Sequence, residues 1–436
     1  MNRLKSPFPL LLLLLPVFSS AQQNVPPQVR GEMPAVSTEG RARNVLTGGF
    51  SVSSAYDDNA LNATDNHISD TQFNVAPNIG IQQTRRHFTW SADYSPGFVF
   101  SQRFVNRDQV SQALGAGVQF RPTARWSLWA RENYSVTTDP FQQLAQDPFL
   151  PDLGPLNSPN DSIVTPLAKR TAKLSNAGAS YRWSAHTSIG FTGSFSQIDF
   201  DHLASDTTTP LLNSRSASGS AFVSHQLSKT QTVGAQYSYG DLRFTQLGTS
   251  HTITQSAQLF DQLEITPRSS LYVFVGPEYA RSLFSEELFI AQQVVQLPLQ
   301  SNSWSPTAGA SYTFHSERGS VRLSFTRRVS DGGGLVTAVR MNEFSSEFRR
   351  QLKPRWSAGV GAGYAINSLA NASNLGSDLH SFSAFADLQR ELGRNVTLRF
   401  SYSLLRQDGN LPGQVQGDHN RAVISIDYHF LRPLGF

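Results

Sequence analysis

The chain contains no cysteine. That excludes disulfides, a thiol nucleophile, a cysteine metal site and a lipid-bearing cysteine at a processing site. Charge is also scarce: Asp, Glu, Lys and Arg make up only 16% of the 436 residues, with a formal net charge of +4. Setting aside Arg3 and Lys5 of the leader leaves 34 basic residues against 32 acidic, a balance that gives no basis for nucleic-acid binding. Beyond the leader, no apolar run reaches the ~20 residues that a membrane helix needs. Any membrane crossing must therefore use strands.

What is present begins with MNRLKSPFPLLLLLLPVFSSA. It has a basic start, an apolar stretch from Leu10 to Phe18, and a Ser19-Ser20-Ala21 cleavage site. This reads as a secretory signal peptide over 1–21. Residues 22–43 lack periodicity and carry three prolines, so they read as a disordered periplasmic lead-in, too short for a plug domain. From residue 44 onward, alternating segments follow one another to the C-terminus.

In HFTWSADYSPGFVF (87–100), Phe88, Trp90, Ala92, Tyr94, Pro96, Phe98 and Phe100 share one parity. Thr89, Ser91, Asp93 and Ser95 share the other. Successive strand side chains point to opposite faces, so the segment has one apolar face and one polar face. The same pattern recurs, as in Trp356, Ala358, Val360, Ala362, Tyr364 and Ile366, and in Val396, Leu398, Phe400, Tyr402 and Leu404. Residues 253–265 fit less well, because Asp261 shares the face of Leu259 and Leu263. Asp261 then lies near a membrane boundary, or the register differs there.

Eight short links punctuate the pattern: TRRH (84–87), RPTAR (121–125), SAHT (184–187), SKTQ (228–231), TPRS (266–269), SERG (316–319), LKPR (352–355) and ELGRN (391–395). Longer loops alternate with them, among them 57–70, 138–169, 201–213 and 407–420. Repeated alternation over ~10 residues, with short turns on one side and long loops on the other, is the signature of an outer-membrane barrel. Sheet edges cannot sit in lipid, so the array must close. The expectation is an all-β chain: one transmembrane antiparallel up-and-down barrel over 44–436, with about eighteen strands and sixteen as the alternative count. Trp90, Trp126, Trp183, Trp304 and Trp356 lie at strand ends on the apolar parity, where interfacial aromatics belong.

The mature chain resembles bacterial outer-membrane β-barrel proteins of the porin type, on its leader, strand pattern and final AVISIDYHF segment (422–430). That resemblance implies a C-terminal assembly signal read by the barrel assembly machinery, carried by Tyr428 and Phe430 or by Phe436. It also implies outer-membrane lipids as partners, a location in the outer membrane of a Gram-negative cell, and homo-oligomerisation as an option. Pro433 departs from the pattern by breaking the alternation after Phe430.

On the inward parity, Arg131, Arg182, Arg322, Arg328 and Arg399 face Asp93, Glu264, Asp387 and Asp427, with Glu278 beside them. Interspersed charges of both signs suit a pore for small polar solutes. Ser357, Gly359, Gly361, Gly363 and Ala365 leave one wall nearly bare, for water or for a packed loop. The loop 138–169 reads first as an outward surface loop and second as a constriction loop. Gly332-Gly333-Gly334 reads as an outer turn, since no Lys-Ser/Thr follows to make a phosphate loop. Asp57-Asp58 and the Asp199/Asp201 pair read as solvated loop acids, with a cation site as the sharper option. No spacing singles out a Ser/His constellation.

The leading expectation is thus a porin-like passive channel, not an enzyme, with no cofactor and no metal. The first alternative is a barrel serving exopolysaccharide export or secretion. The second is an outer-membrane hydrolase.

Overall fold

The computed structural model describes residues 44–60, 67–103, 109–139, 141, 160–165, 168–202, 211–245, 250–290, 293–370, 378–409 and 417–434. The leader, the lead-in and Phe436 lie outside the described residues. The first nine strands are β1 (Val45–Asp57), β2 (Asp70–Thr84), β3 (Phe88–Ser101), β4 (Gln109–Phe120), β5 (Trp126–Thr137), β6 (Ala168–Arg182), β7 (Thr187–His202), β8 (Asn213–Gln226) and β9 (Gln231–Thr245). The second nine are β10 (Ser250–Thr266), β11 (Ser269–Ile290), β12 (Gln293–Ser316), β13 (Gly319–Gly332), β14 (Val336–Lys353), β15 (Trp356–Leu369), β16 (Asp378–Glu391), β17 (Val396–Gly409) and β18 (Gly417–Pro433).

Each strand pairs antiparallel with its sequence neighbour, and β1 pairs with β18 from Val45↔Pro433 to Asp57↔Arg421. The sheet is therefore a closed eighteen-strand up-and-down barrel with no free edge, which settles the count against sixteen. All eight short links connect successive strands. β18 runs three residues past Phe430: Pro433 pairs with Val45, and the Leu434 N–H donates to the Asn44 carbonyl at 2.8 Å. Proline is tolerated there because it lies at the strand's last position.

The apolar parity faces outward. Phe50, Phe73, Ile79, Phe98, Phe100, Phe191, Leu259, Val275, Phe344, Tyr402 and Ile426 are all exposed large side chains on the outer wall. Asp261 is on that wall too, so the register holds. It lies five residues from the turn at Thr266 and accepts a hydrogen bond from Gln231 Nε2 at 2.9 Å.

Pro96 shows how the wall absorbs a missing donor. The β2–β3 ladder is interrupted between Val75↔Phe98 and Ile79↔Tyr94, with no shift of register. That spacing sets Pro77 opposite Pro96, so neither residue can donate. The Ser95 hydroxyl donates to the Pro77 carbonyl instead, at 3.2 Å. A missing ladder bond is found there, and no bulge.

Glycines on the inner face accept aromatic rings from the adjacent strand. Trp129 lies over Gly178, Phe222 over Gly190, Phe260 over Gly234, Phe274 over Gly309 and Phe385 over Gly361. The bare wall at Gly359 to Gly363 is thus partly filled, by the Phe385 ring and by the Asp387 carboxylate beside Gly359.

One part of the wall departs from the cylinder. β11 and β12 stay paired from Ser269↔Phe314 to Ile290↔Gln293, and Trp304 lies eleven residues inside β12 rather than at its start. The β12–β13 ladder ends at Ala308↔Arg327. Beyond it, β13 pairs only with β14, and the shared tip turns inward.

Candidate functional site: the lumen and its inner closure

The tip between β13 and β14 is the centre of the lumen. Val329, Ser330 and Asp331 are buried, as are Leu335, Val336 and Val339. Gly333 and Gly334 turn the chain with φ of 61° and 93°, a left-handed backbone that glycine adopts without penalty. Both are also tight: a Cβ on Gly333 would meet Ile163 at 2.6 Å, and one on Gly334 would meet the Phe200 ring at 2.5 Å. The triglycine is a turn, as its composition suggests, but it faces the interior.

This tip belongs to a cluster of Ile163, Ala168, Ile198, Phe200, Leu211, Leu335, Val336, Val339 and Leu379. Ile198 is on β7 and Leu379 is on β16, nine strands apart in a ring of eighteen. A single apolar cluster therefore spans the lumen from one wall to the opposite wall. A second cluster joins Val329 and Ala338 of the tip to Leu242 and Phe244 of β9 and Ala280 of β11. The Val329 N–H donates to the Glu278 carboxylate at 3.1 Å, which ties the tip to β11.

The described residues of the long loop complete the closure. Asn160 Nδ2 donates to the Asp331 carbonyl at 3.1 Å and to Asn367 Oδ1 of β15 at 2.9 Å. The Asn160 backbone N–H donates to the Asp331 carboxylate at 3.0 Å. Val164 pairs both its N–H and its carbonyl with the Gln407 side chain of β17, at 2.9 and 3.1 Å. Phe141 stacks edge-on against His419 of β18. These residues are inside the barrel, which corrects the first reading of 138–169 as an outward surface loop. Apolar side chains such as Ile163 and Val164 gain more from burial in the lumen than from solvent.

Asp161 forms an ion pair with Arg170 at 2.7 Å. Burial pushes its carboxyl up to about 6, because desolvation outweighs the nearby guanidinium.

The inward charged residues occupy several levels. Asp93 and Arg131 lie near each other across Gly115 and Gly117 of β4. Asp387 is buried 3.7 Å from Arg349, and Arg399 stands 4.0 Å from Asp427. Arg182 and Glu264 lie exposed toward the short turns, and Arg322 and Arg328 lie on β13. The alternation puts all of these on the inner face. Among the interface tryptophans, Trp126, Trp183 and Trp304 are strongly exposed on the outer wall. Trp90 Nε1 donates to Gln83, and the Arg390 guanidinium lies over Trp356 at 5.2 Å. At the C-terminus, Tyr428 packs on Phe50 and Phe430 covers Gly48.

Asp57 is not a solvated loop acid. It is buried, and its carboxylate meets His419 Nε2 at 2.5 Å. Asp58 accepts from the Asn420 N–H at 2.7 Å and from its side-chain amide at 2.6 Å. The three side chains Asp57, Asp58 and His419 are close enough to share a cation. Their hydrogen bonds fasten β1 and the chain just beyond it to β18, where the barrel closes. Asp201 pairs with Lys169 at 3.6 Å, and Asp199 accepts from Gln197.

The chain is thus an outer-membrane-type β-barrel in architecture: closed, antiparallel, apolar outside, with a lumen spanned by its own inner segments. No protein-family model matches it, and no curated protein does. Among solved structures it is similar to outer membrane protein OpdK of Pseudomonas aeruginosa, with 10% identity over 89% of this chain and 99% of that one, at a TM-score of 0.43. It is similar also to OccAB4 of Acinetobacter baumannii, with 10% identity over 89% of this chain and 98% of that one, at a TM-score of 0.45. A third is the siderophore receptor PiuA of Acinetobacter baumannii, with 10% identity over 88% and 82% of the two chains, at 0.42.

Proposed function

We propose that this protein is an outer-membrane channel for small polar solutes, held shut in this conformation by the β13–β14 tip and the Asn160–Thr165 segment. The observation that carries the reading is the pairing of two surfaces: a largely apolar outer wall on a closed barrel, and an inner face that carries charged and small polar residues along most strands. Barrels of this strand number enclose an aqueous lumen. An apolar plug across such a lumen expels water, and so stops ions and polar solutes until it moves. The mixed charges from Arg131, Asp93, Arg399 and Asp427 then line the path and favour hydrated polar solutes over apolar ones.

A second reading is favoured by the same closure. A barrel that serves polysaccharide export or secretion needs a shut lumen that a partner opens, and the cross-lumen cluster supplies that state. Ion current across planar bilayers separates the two. Spontaneous openings of the purified barrel support the diffusion channel. A barrel that stays silent alone, and conducts only with its export partners, supports the second reading.

A further inference from the structure

The outer wall carries a band of cations at the long-loop ends of β6 to β11. The strand registers set Lys173 opposite Gln197, Gln197 opposite Arg215, Arg215 opposite Arg243, and Arg243 opposite His251. These five side chains make one row across β6 to β10 on the outward parity. Two residues closer to the short turns, Asp241, Ile253, Arg281 and Asn302 make the next row. Two residues further, Tyr239, Gln255, Tyr279 and Trp304 make a third. Tyr279 and Trp304 stack there, 5.1 Å apart, and Trp304 is 71% exposed.

The third row has the composition of an interfacial aromatic girdle. At ~3.4 Å per residue and a tilt near 40°, the cation rows stand about 5 and 10 Å above it. That is the level of lipid headgroups.

Arg215 and Arg243 are directly opposite and both exposed, an arrangement that repels unless an anion lies between. Asp241 engages only the Arg243 side of the pair, at 2.7 Å, and it also holds His251 at 2.7 Å. Arg281 donates to Gln300 at 3.0 Å. Lys173 and Arg215 have no ion-pair partner among the described residues. Guanidinium groups bind phosphate oxygens through paired N–H donors, while Lys adds a point charge.

We propose that Lys173, Arg215 and Arg243 form a docking site for the anionic phosphate headgroup of an outer-leaflet lipid, whose acyl chains lie on the apolar wall below Tyr239. The inference rests on the membrane-spanning reading but not on conduction.

The test uses the mature barrel folded in neutral detergent micelles doped with phosphatidic acid or with phosphatidylcholine. Native mass spectrometry counts the retained lipid, and the unfolding temperature is read alongside. The site predicts retention of phosphatidic acid over phosphatidylcholine. It predicts at least a fivefold loss in the double variant Arg215→Gln/Arg243→Gln and a partial loss in Lys173→Gln. Arg406→Gln, on the outer wall of β17, should leave retention unchanged. Equal retention of the two lipids, or undiminished retention by the double variant, overturns the proposal. Stabilisation by inorganic phosphate as large as that by phosphatidic acid overturns the lipid as its source. Insertion of the barrel into vesicles is measured separately. A barrel that inserts but does not discriminate between the lipids defeats this inference and leaves the fold reading standing.

Discussion

Substituting Gly334 by alanine tests whether the inner tip closes the lumen. The backbone there has φ of 93°, which an L side chain adopts at a cost of about 1–3 kcal/mol. The new Cβ would also fall 2.5 Å from the Phe200 ring, and overpacking of that kind costs about 1–3 kcal/mol. Together, about 2–6 kcal/mol is removed from the docked tip. The undocked tip is free to relax and bears little of either cost. Since each ~1.4 kcal/mol is a factor of ten, the docking equilibrium shifts toward opening by roughly 1.5 to 4 decades. The ladders of the barrel wall are left intact, because Gly334 lies between β13 and β14 rather than in a ladder and meets β7 only through the inward Phe200 ring. The assay is single-channel recording in planar bilayers, with gel mobility of unheated samples confirming that the barrel is folded. The reasoning predicts a folded Gly334→Ala barrel with much higher open probability than wild type. A folded variant whose open probability equals that of wild type would refute it.

Other consequences are smaller in scope. Asn160→Ala removes buried amide donors to the Asp331 carbonyl and to Asn367, and should weaken docking by about 1–3 kcal/mol. Higher open probability in single-channel recordings would report it. The raised Asp161 value means that the docked state binds its proton more tightly than an exposed carboxyl does. Its contribution to docking is therefore complete below about pH 4 and is lost as pH rises through about 6, roughly 3 kcal/mol in all. Open probability should rise across that window, and Asp161→Asn should flatten that part of the profile; parallel profiles for the two proteins would contradict the assignment. Pro96→Val restores a donor opposite the Pro77 carbonyl. It should raise the unfolding midpoint in detergent by an amount equivalent to about 0.5–1.5 kcal/mol.

The barrel was legible because lipid imposes a simple rule. Every strand must turn apolar residues outward, so Phe88 to Phe100 on β3 and Ile424 to Phe430 on β18 mark their own faces. The inner closure obeys a different rule, and its residues look like lapses in the pattern. On β7, Phe191 and Phe195 face outward, but Ile198 and Phe200 face inward. On β9, Tyr237 and Tyr239 face outward, but Leu242 and Phe244 face inward. The apolar set changes parity toward the long-loop end of each strand. Leu379 on β16 and Leu405 on β17 add inward apolar residues at the same end. That shift is the signal by which the sequence announces that something apolar docks inside. It gives the location of the closure but not its partner. Val336, Val339 and Met341 carry no such mark, and only the fold shows them buried near the tip. The burial of Asp57 against His419 is illegible for another reason: 362 residues separate the two, and only closure of β1 on β18 unites them.

The central claim is that the Phe88–Ser101 face carrying Trp90, Tyr94 and Phe98 looks into lipid while Ser91, Asp93 and Ser95 look into the lumen. Because the chain has no cysteine, single substitutions such as Phe98→Cys and Ser95→Cys place one spin label at a time. In vesicles, the collision rate with oxygen, which concentrates in lipid, is compared with that of a water-soluble nickel chelate. An alternation of period two is expected along residues 88–101, with even positions favouring oxygen. Uniform access to the chelate at both parities, or the opposite phase, would contradict it.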